Sequence, residues 1–507
     1  KDKTGGMKIS RFFAGSRGRS IAYVKSQQSL YVAGATVAVS GLVKESRYGK
    51  TINDPLIEII DSPNSYLKSR SIGQIIPVYS LTEGITADKF RDLIQSILSL
   101  TADIKDPLPK DILERLDLPA KKEAFFQIHN PENSKTLARA KRRIVFEEFL
   151  LLQLGLLLKR DLHKKCKSPQ LSIEPTSNGL VKKFLSILPF PLTGAQKRVL
   201  KEIESDIVKL EPMSRLLQGD VGSGKTVIAI SALLTAVQSG WQGAFMAPTE
   251  VLATQHYQTL SKWIPNLELN VDLLTGSTSK SRRKQILNDL VNGSTKILVG
   301  THAIFEDPVV FERLGLVVVD EQHRFGVKQR NKLLNKGLQP HLLTMTATPI
   351  PRTLALTLHG DLDVSQLDEL PPGRTPINTQ LISPKDKNYA YDLIRTEISK
   401  GHQIYVVLPL IEESEKLELS AAVDVHHHLS TEIFLDFNVE LLHGRMKSVD
   451  KQQVIQNFVN KKCDILVSTT VIEVGVDVPN ASVMLIEDSD HFGLAQLHQL
   501  RGRVGRG

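Results

Sequence analysis

Two cysteines, Cys166 and Cys463, are all that the 507 residues contain, and they lie far apart in sequence. That scarcity excludes a disulfide framework and a zinc site, and it predicts a reducing, cytoplasmic setting. A bacterial-type, nucleoid-associated protein fits, as does a plastid or mitochondrial one in a eukaryote. Long apolar runs are equally scarce. The longest, Phe149 to Leu158, is interrupted by Gln153 and Gly155 and is far short of the ~20 residues that span a bilayer. It predicts a buried helix, and no membrane partner is expected. No signal peptide opens the chain. Its first residue is Lys rather than Met, so the natural start is expected to lie elsewhere. His426-His427-His428 is too short and isolated for a metal site and reads as a surface helix end.

Acidic residues are outnumbered, 55 against 64 Lys and Arg, for a net charge of +9. The imbalance is concentrated: residues 1–60 carry ten basic and four acidic side chains. A basic end of this kind suits a polyanionic partner. With 41% hydrophobic and 23% charged residues, the chain is globular and long enough for three or four domains.

What is present is more specific. Gly219-Asp-Val-Gly222-Ser223-Gly224-Lys225-Thr226 matches G-x-x-x-x-G-K-[ST] at every fixed position. Backbone N–H groups of such a loop cradle phosphates, the lysine reaches the β/γ oxygens, and the hydroxyl of Thr226 is available to Mg²⁺. Met213–Gln218 predicts a strand and Val227–Gln238 a helix, the context this loop requires. Downstream, the apolar strand Leu316–Val319 ends in Asp320 and Glu321. Asp320 is suited to Mg²⁺ and Glu321 to polarising an attacking water. Arg503 and Arg506 could neutralise charge on a transferred phosphoryl group.

The organisation predicted is multidomain α/β. Residues 1–70 read as a small β unit with strands at Lys8–Phe13, Ile21–Val24, Gly34–Val43 and Leu56–Ile60, suited to an OB-fold barrel. Residues 71–186 read as a helical connector with helices beginning after Thr86 and over Ala138–Lys165. Residues 187–370 alternate strands (Ala244–Ala247, Lys296–Val299, Leu316–Val319, His341–Thr344) with helices, which implies a parallel sheet. After a Pro-rich linker at Leu370–Pro376, residues 371–507 repeat the pattern, with strands at Gln403–Leu408, Asn438–Leu442, Asp464–Val467 and Ser482–Ile486. The arginines then lie on a different lobe from the phosphate loop, so hydrolysis would require closure of the cleft between lobes.

The ordered set resembles a superfamily 2 helicase core. It comprises Leu192–Gln196, the phosphate loop, Ala247–Glu250, Thr275–Ser277, Gly300–His302, Asp320–His323, Thr346–Thr348, Leu442–Gly444, Ser468–Pro479 and Gln499–Arg506. Asp320–Gly326 and Met345–Thr353 are similar to the RecG and transcription-repair-coupling families. Gly360–Ser365, Asp368–Arg374 and the N-terminal block with Phe12-Phe13 and Val39–Val43 are closer to RecG, whose wedge is an OB-fold. The resemblance implies two RecA-like lobes acting as an ATP- and Mg²⁺-dependent translocase that remodels branched double-stranded DNA such as stalled forks and Holliday junctions, acting as a monomer. It further implies Gln196 on adenine, and Thr249, Thr301 and Thr470 on the DNA backbone. Thr346, Thr348 and Arg352 would couple nucleotide state to DNA, and Phe13 would stack at the branch point, with Tyr23 and Tyr31 behind it.

Three other readings are distinguishable. A coupling-type translocase would lack fork preference, an RNA helicase would need RNA-stimulated turnover, and a junction-binding protein would bind without turnover. RecG-like chains continue beyond the arginine block that ends here and often carry an extra N-terminal helical region, so a truncated chain is expected.

Overall fold

The computed structural model describes all residues except 1–6, 11–24, 26–28, 30, 32–34, 47–48, 63–64, 67–74, 83, 101–103, 173–178, 264–266, 268, 322–331, 349–361, 370, 372–375, 410–414, 470–477, 479 and 506–507. The chain divides into two compact units, Lys1–Leu152 and Gln153–Gly507.

Among its described residues the first unit opens with six short strands: β1 (Lys8–Ser10), β2 (Thr36–Ser40), β3 (Val43–Ser46), β4 (Gly49–Asn53), β5 (Leu56–Ser62) and β6 (Ser65–Tyr66). They form two three-stranded sheets, β1-β4-β3 and β2-β5-β6. The run expected over Gly34–Val43 divides at Gly41. A Cβ there would lie 2.7 Å from Ile52 Cγ2, so the backbone turns where only glycine lets it approach β4. The strand expected at Ile21–Val24 lies outside the described residues, as do Phe13 and Tyr23.

Helices α1 (Ala87–Leu98), α2 (Lys110–Arg115), α3 (Lys121–His129) and α4 (Ser134–Lys164) follow. The hydroxyl of Thr86 caps α1 by accepting from Lys89 N–H, as its residue type predicts. Arg143 on α4 is 1% exposed and donates to Asp106 at 2.7 Å and Glu147 at 2.6 Å. Lys121 adds a 2.5 Å bond to Glu147. The helix expected over Phe149–Leu158 forms, but it is not buried. Phe149, Leu151, Leu152, Leu154, Leu157 and Leu158 are 46–65% exposed. A helix apolar all round gives no clue to which face is covered; on α4 the buried positions are Ala140 and Arg143.

In the second unit, α5 (Leu180–Ile187) and α6 (Gly194–Ile207) precede a seven-stranded sheet. Its strands are β7 (Ser214–Gly219), β8 (Gln242–Met246), β9 (Val271–Leu274), β10 (Ile297–Gly300), β11 (Leu314–Val319), β12 (His341–Thr346) and β13 (Asp363–Leu367). The order is β13-β7-β12-β11-β8-β10-β9, and every pairing is parallel. The buried strands read Leu-Val-Val-Val and the like, as a sheet covered on both faces requires. β9 and β13, the edges, carry Asp, Ser and Gln, and their pattern did not announce a strand. Helix α7 (Lys225–Gln238) is buried through Val227–Val237; α8 (Glu250–Trp263) and α9 (Lys280–Val291) complete this part.

A second parallel sheet, β15-β16-β14-β17, is built from β14 (Gln403–Val407), β15 (Val439–Leu442), β16 (Ile465–Ser468) and β17 (Ala481–Ile486). Its helices are α10 (Lys387–Ser399), α11 (Glu415–His428), α12 (Ser448–Val459) and α13 (Leu494–Arg501). His426–His428 end α11, and among the described residues no cluster of metal-ligating side chains occurs. Among the described residues, no helix is long and apolar enough to cross a membrane.

Candidate active site

Strand β7 delivers the chain to the loop, and α7 begins at Lys225. Gly222 and Gly224 have φ of 83° and 88°, left-handed values that glycine adopts freely. Bulk is excluded as well: a Cβ on Gly219 would lie 2.6 Å from Ser223 Oγ, and one on Gly224 would lie 2.3 Å from Gln196 Nε2. Ser223 is fully buried, and its Oγ has no hydrogen-bond partner among the described residues. Lys225 Nζ donates to the carbonyls of Gly219 (2.7 Å) and Asp220 (2.8 Å). Burial pulls its pKa down to about 8, against the opposing pull of Asp320, Glu321 and Asp220. The donor set is an ammonium, loop amides and a hydroxyl at a helix N-terminus, and it fits an anionic polyphosphate. Thr226 and Asp320 are hard oxygen donors of the kind Mg²⁺ takes.

Asp320 follows β11, two strands from β7, and is 8% exposed. Burial alone would raise its pKa, but the hydrogen bond and charge of His256 together with Lys225 hold it below the usual carboxylate range. His256 Nε2, from α8, lies 2.9 Å from Asp320 Oδ2, and its ring packs 4.4 Å from that of Phe245. Glu321 has φ of 49°, a left-handed conformation that is costly for a residue with a side chain. Burial, then repulsion from Asp320, pushes its pKa up to about 7. Neighbouring carboxyls are thus driven apart, one held ionised and the other near neutrality, as a base working near pH 7 requires.

The arginine comes from the other sheet. Helix α13 packs with the core of the second sheet through Leu500, and Val504, beyond the helix, joins the same core. Arg503, just beyond it, is close enough to act electrostatically on both Lys225 and Glu321. The two halves touch directly: His498 Nε2 is 3.0 Å from Asp220 Oδ1.

Other expected residues gather around this centre. The Gln196 amide is committed to the protein, accepting from Thr193 N–H (2.9 Å) and donating to Ser223 O (2.9 Å). It therefore buttresses the phosphate loop, and contact with adenine would require exchange of these bonds. Thr346 and Thr348 share a 2.7 Å hydroxyl contact, and the intervening Ala347 N–H donates to Glu321. Thr249 and Thr301 follow the adjacent strands β8 and β10. Thr249 Oγ1 accepts from Leu252 N–H at 3.3 Å, and Thr301 is buried, 1% exposed. Arg352, Thr470 and Arg506 lie outside the described residues. His256 and His498 were not anticipated. Their partners lie 64 and 278 positions away, and no local pattern encodes such pairings.

Comparison with known proteins agrees with this geometry. Residues 193–357 match the DEAD/DEAH box helicase model, 386–507 the helicase conserved C-terminal domain, and 22–101 the RecG wedge domain. A Synechocystis ATP-dependent DNA helicase RecG is 54% identical over all of this chain, which spans 61% of that protein. The Bacillus subtilis ATP-dependent DNA helicase RecG is 47% identical over 96% of this chain and 69% of its own. A solved structure of RecG bound to a three-way DNA junction superposes with a TM-score of 0.72, at 40% identity, covering 96% of this chain and 63% of that one. The two parallel sheets are two RecA-like domains, and the chain belongs to the RecG family of ATP-dependent DNA helicases.

Proposed function

We propose that this chain is the motor and wedge portion of an ATP-driven DNA translocase that remodels branched DNA, such as stalled forks and Holliday junctions. The observation that carries the reading is the convergence of Lys225, Asp320 and Glu321 from one sheet with Arg503 from the other. A nucleotide site shared between two domains makes hydrolysis depend on their closure, which is what a motor needs. The likeness to a protein solved on a three-way junction supports branched DNA as the substrate.

ATP supplies the phosphoanhydride whose cleavage drives the cycle. The loop amides and Lys225 would bind its phosphates, and Thr226 and Asp320 would hold Mg²⁺. Glu321 would take the proton of the attacking water, and Arg503 with Arg506 would offset charge developing on the phosphoryl oxygens. Ala347 N–H on Glu321, between Thr346 and Thr348, would give that pair a route for reporting nucleotide state, a role that Arg352 would share. Thr249 and Thr470 would contact the DNA backbone, a sequence-independent mode suited to tracking, and Thr301, 1% exposed here, would join them only on rearrangement.

In this reading residues 1–70 form an OB-fold wedge, 71–186 a helical connector, 187–370 the first lobe and 371–507 the second. The wedge splits strands at the branch, with Phe13 stacking there. The protein acts as a monomer in the bacterial cytoplasm, associated with the nucleoid. DNA-stimulated ATPase measured with single strand, linear duplex, fork and four-way junction tests the proposal. Stimulation strongest with fork and junction is expected; equal stimulation by linear duplex would favour a coupling-type translocase and defeat the branch assignment.

A further inference from the structure

Helix α13 and the residue that caps it, Gly502, meet the phosphate loop. His498 reaches the carboxylate of Asp220, and at Gly502, one turn on, an added Cβ would lie 2.6 Å from Val221 Cβ. Gly502 N–H still bonds His498 O and residues four apart share a helix face, so the C-terminal end of α13 and its cap present one face to two adjacent loop residues. On the far side of the imidazole, Arg501 Nη2 lies 3.0 Å from His498 Nδ1. A carboxylate only accepts and a guanidinium only donates. His498 therefore carries its proton on Nε2 and presents the Nδ1 lone pair to Arg501. Asp220 is engaged at both ends, because its backbone carbonyl receives Lys225 Nζ at 2.8 Å.

Asp220 and Val221 occupy free positions of the phosphate-loop pattern. Cradling phosphate does not specify their side chains, yet both are used here to receive the second domain. We infer that His498 is a positioning residue: through Asp220 it latches the second domain onto the phosphate loop and thereby sets Arg503 against Lys225 and Glu321. The inference rests on the reading of a hydrolytic site shared between two domains. It assigns His498 no contact with substrate; its action is on the geometry of its neighbours.

The test measures closure rather than turnover alone. In the full chain carrying Cys166→Ser, fluorophores are placed at Lys284→Cys on α9 and Tyr389→Cys on α10. Energy transfer is then recorded with and without a non-hydrolysable ATP analogue. His498→Ala and Asp220→Ala are each expected to lower the ratio of closed to open molecules by roughly tenfold, the scale of a partly exposed charge-assisted hydrogen bond. The double variant should lose no more than either single one, since both break the same contact. His498→Gln, which still offers an N–H, should restore most of the closure. At saturating ATP, kcat should fall in parallel with closure while KM changes little. Additive losses, or unchanged energy transfer in either single variant, would overturn the latch. Because the coupling is read from the distance between domains, it decides on the latch whether or not the chain turns over ATP. Absence of turnover in the intact chain would count separately against the functional reading.

Discussion

Replacing Lys225 with methionine separates what the lysine costs the fold from what it contributes to the reaction. The side chain is buried among loop carbonyls and carboxyls, and its pKa is held at about 8 where the ordinary value is 10.5. At about 1.4 kcal/mol per pH unit, the charged ammonium destabilises the folded chain by roughly 3 kcal/mol at neutral pH. Methionine, of similar length and uncharged, removes that cost. It also removes the hydrogen bonds to Gly219 and Asp220, each contributing about 1.5–3 kcal/mol when the donor is charged. The two effects oppose, the bonds together contributing about 3–6 kcal/mol, so stability at pH 7 should fall by no more than about 3 kcal/mol. The pH dependence is the sharper observable. The folded-state value lies below the unfolded one, so the cost is fully present below pH 8 and is relieved as pH rises towards 10.5. The intact protein should therefore gain about 2 kcal/mol on the variant between pH 8 and pH 9.5. Denaturant unfolding of both proteins across that range measures the difference. ATPase of the variant should be at least about a hundredfold lower. A stability difference that is flat from pH 7 to 9.5 would show that Lys225 is not a buried ammonium, and retained turnover would show that it does not act on the phosphates.

Glu321→Gln should lower kcat by roughly 10²–10³-fold while nucleotide binding, followed by calorimetry, persists. In the intact chain, turnover should rise with pH through about 7, because burial and Asp320 hold this carboxyl there and only its ionised form takes a proton. Arg143→Met should destabilise the first unit by about 3–5 kcal/mol, since Asp106 and Glu147 would lose their shared buried partner; unfolding curves check this.

The phosphate loop, the strand ending in Asp320 and the alternation of strands and helices were legible in the sequence because each is a local pattern with a local cause. Gly222 and Gly224 stand where φ is positive, and Leu316–Val319 is apolar because both sheet faces are covered. What stayed illegible depends on long-range packing. β9 and β13 are edge strands with polar residues, so no apolar run marks them. The apolar residues of Phe149–Leu158 specify a helix and say nothing about which side is covered. His256 and His498 act on carboxylates from other elements, and only the folded chain shows those pairings. The Gln196 amide illustrates a third case: its residue type was legible, but its engagement with Thr193 and Ser223 was not.

One site built from two domains is the centre of the mechanism, and the kinetics of Arg503→Ala test it most directly. With nucleotide Kd and kcat measured on the same preparation, Kd should stay within about threefold of the intact chain and kcat should fall by about 10³-fold, the contribution of an arginine acting on the transferred phosphoryl group. A kcat unchanged by the substitution, with fold and nucleotide affinity intact, would contradict it.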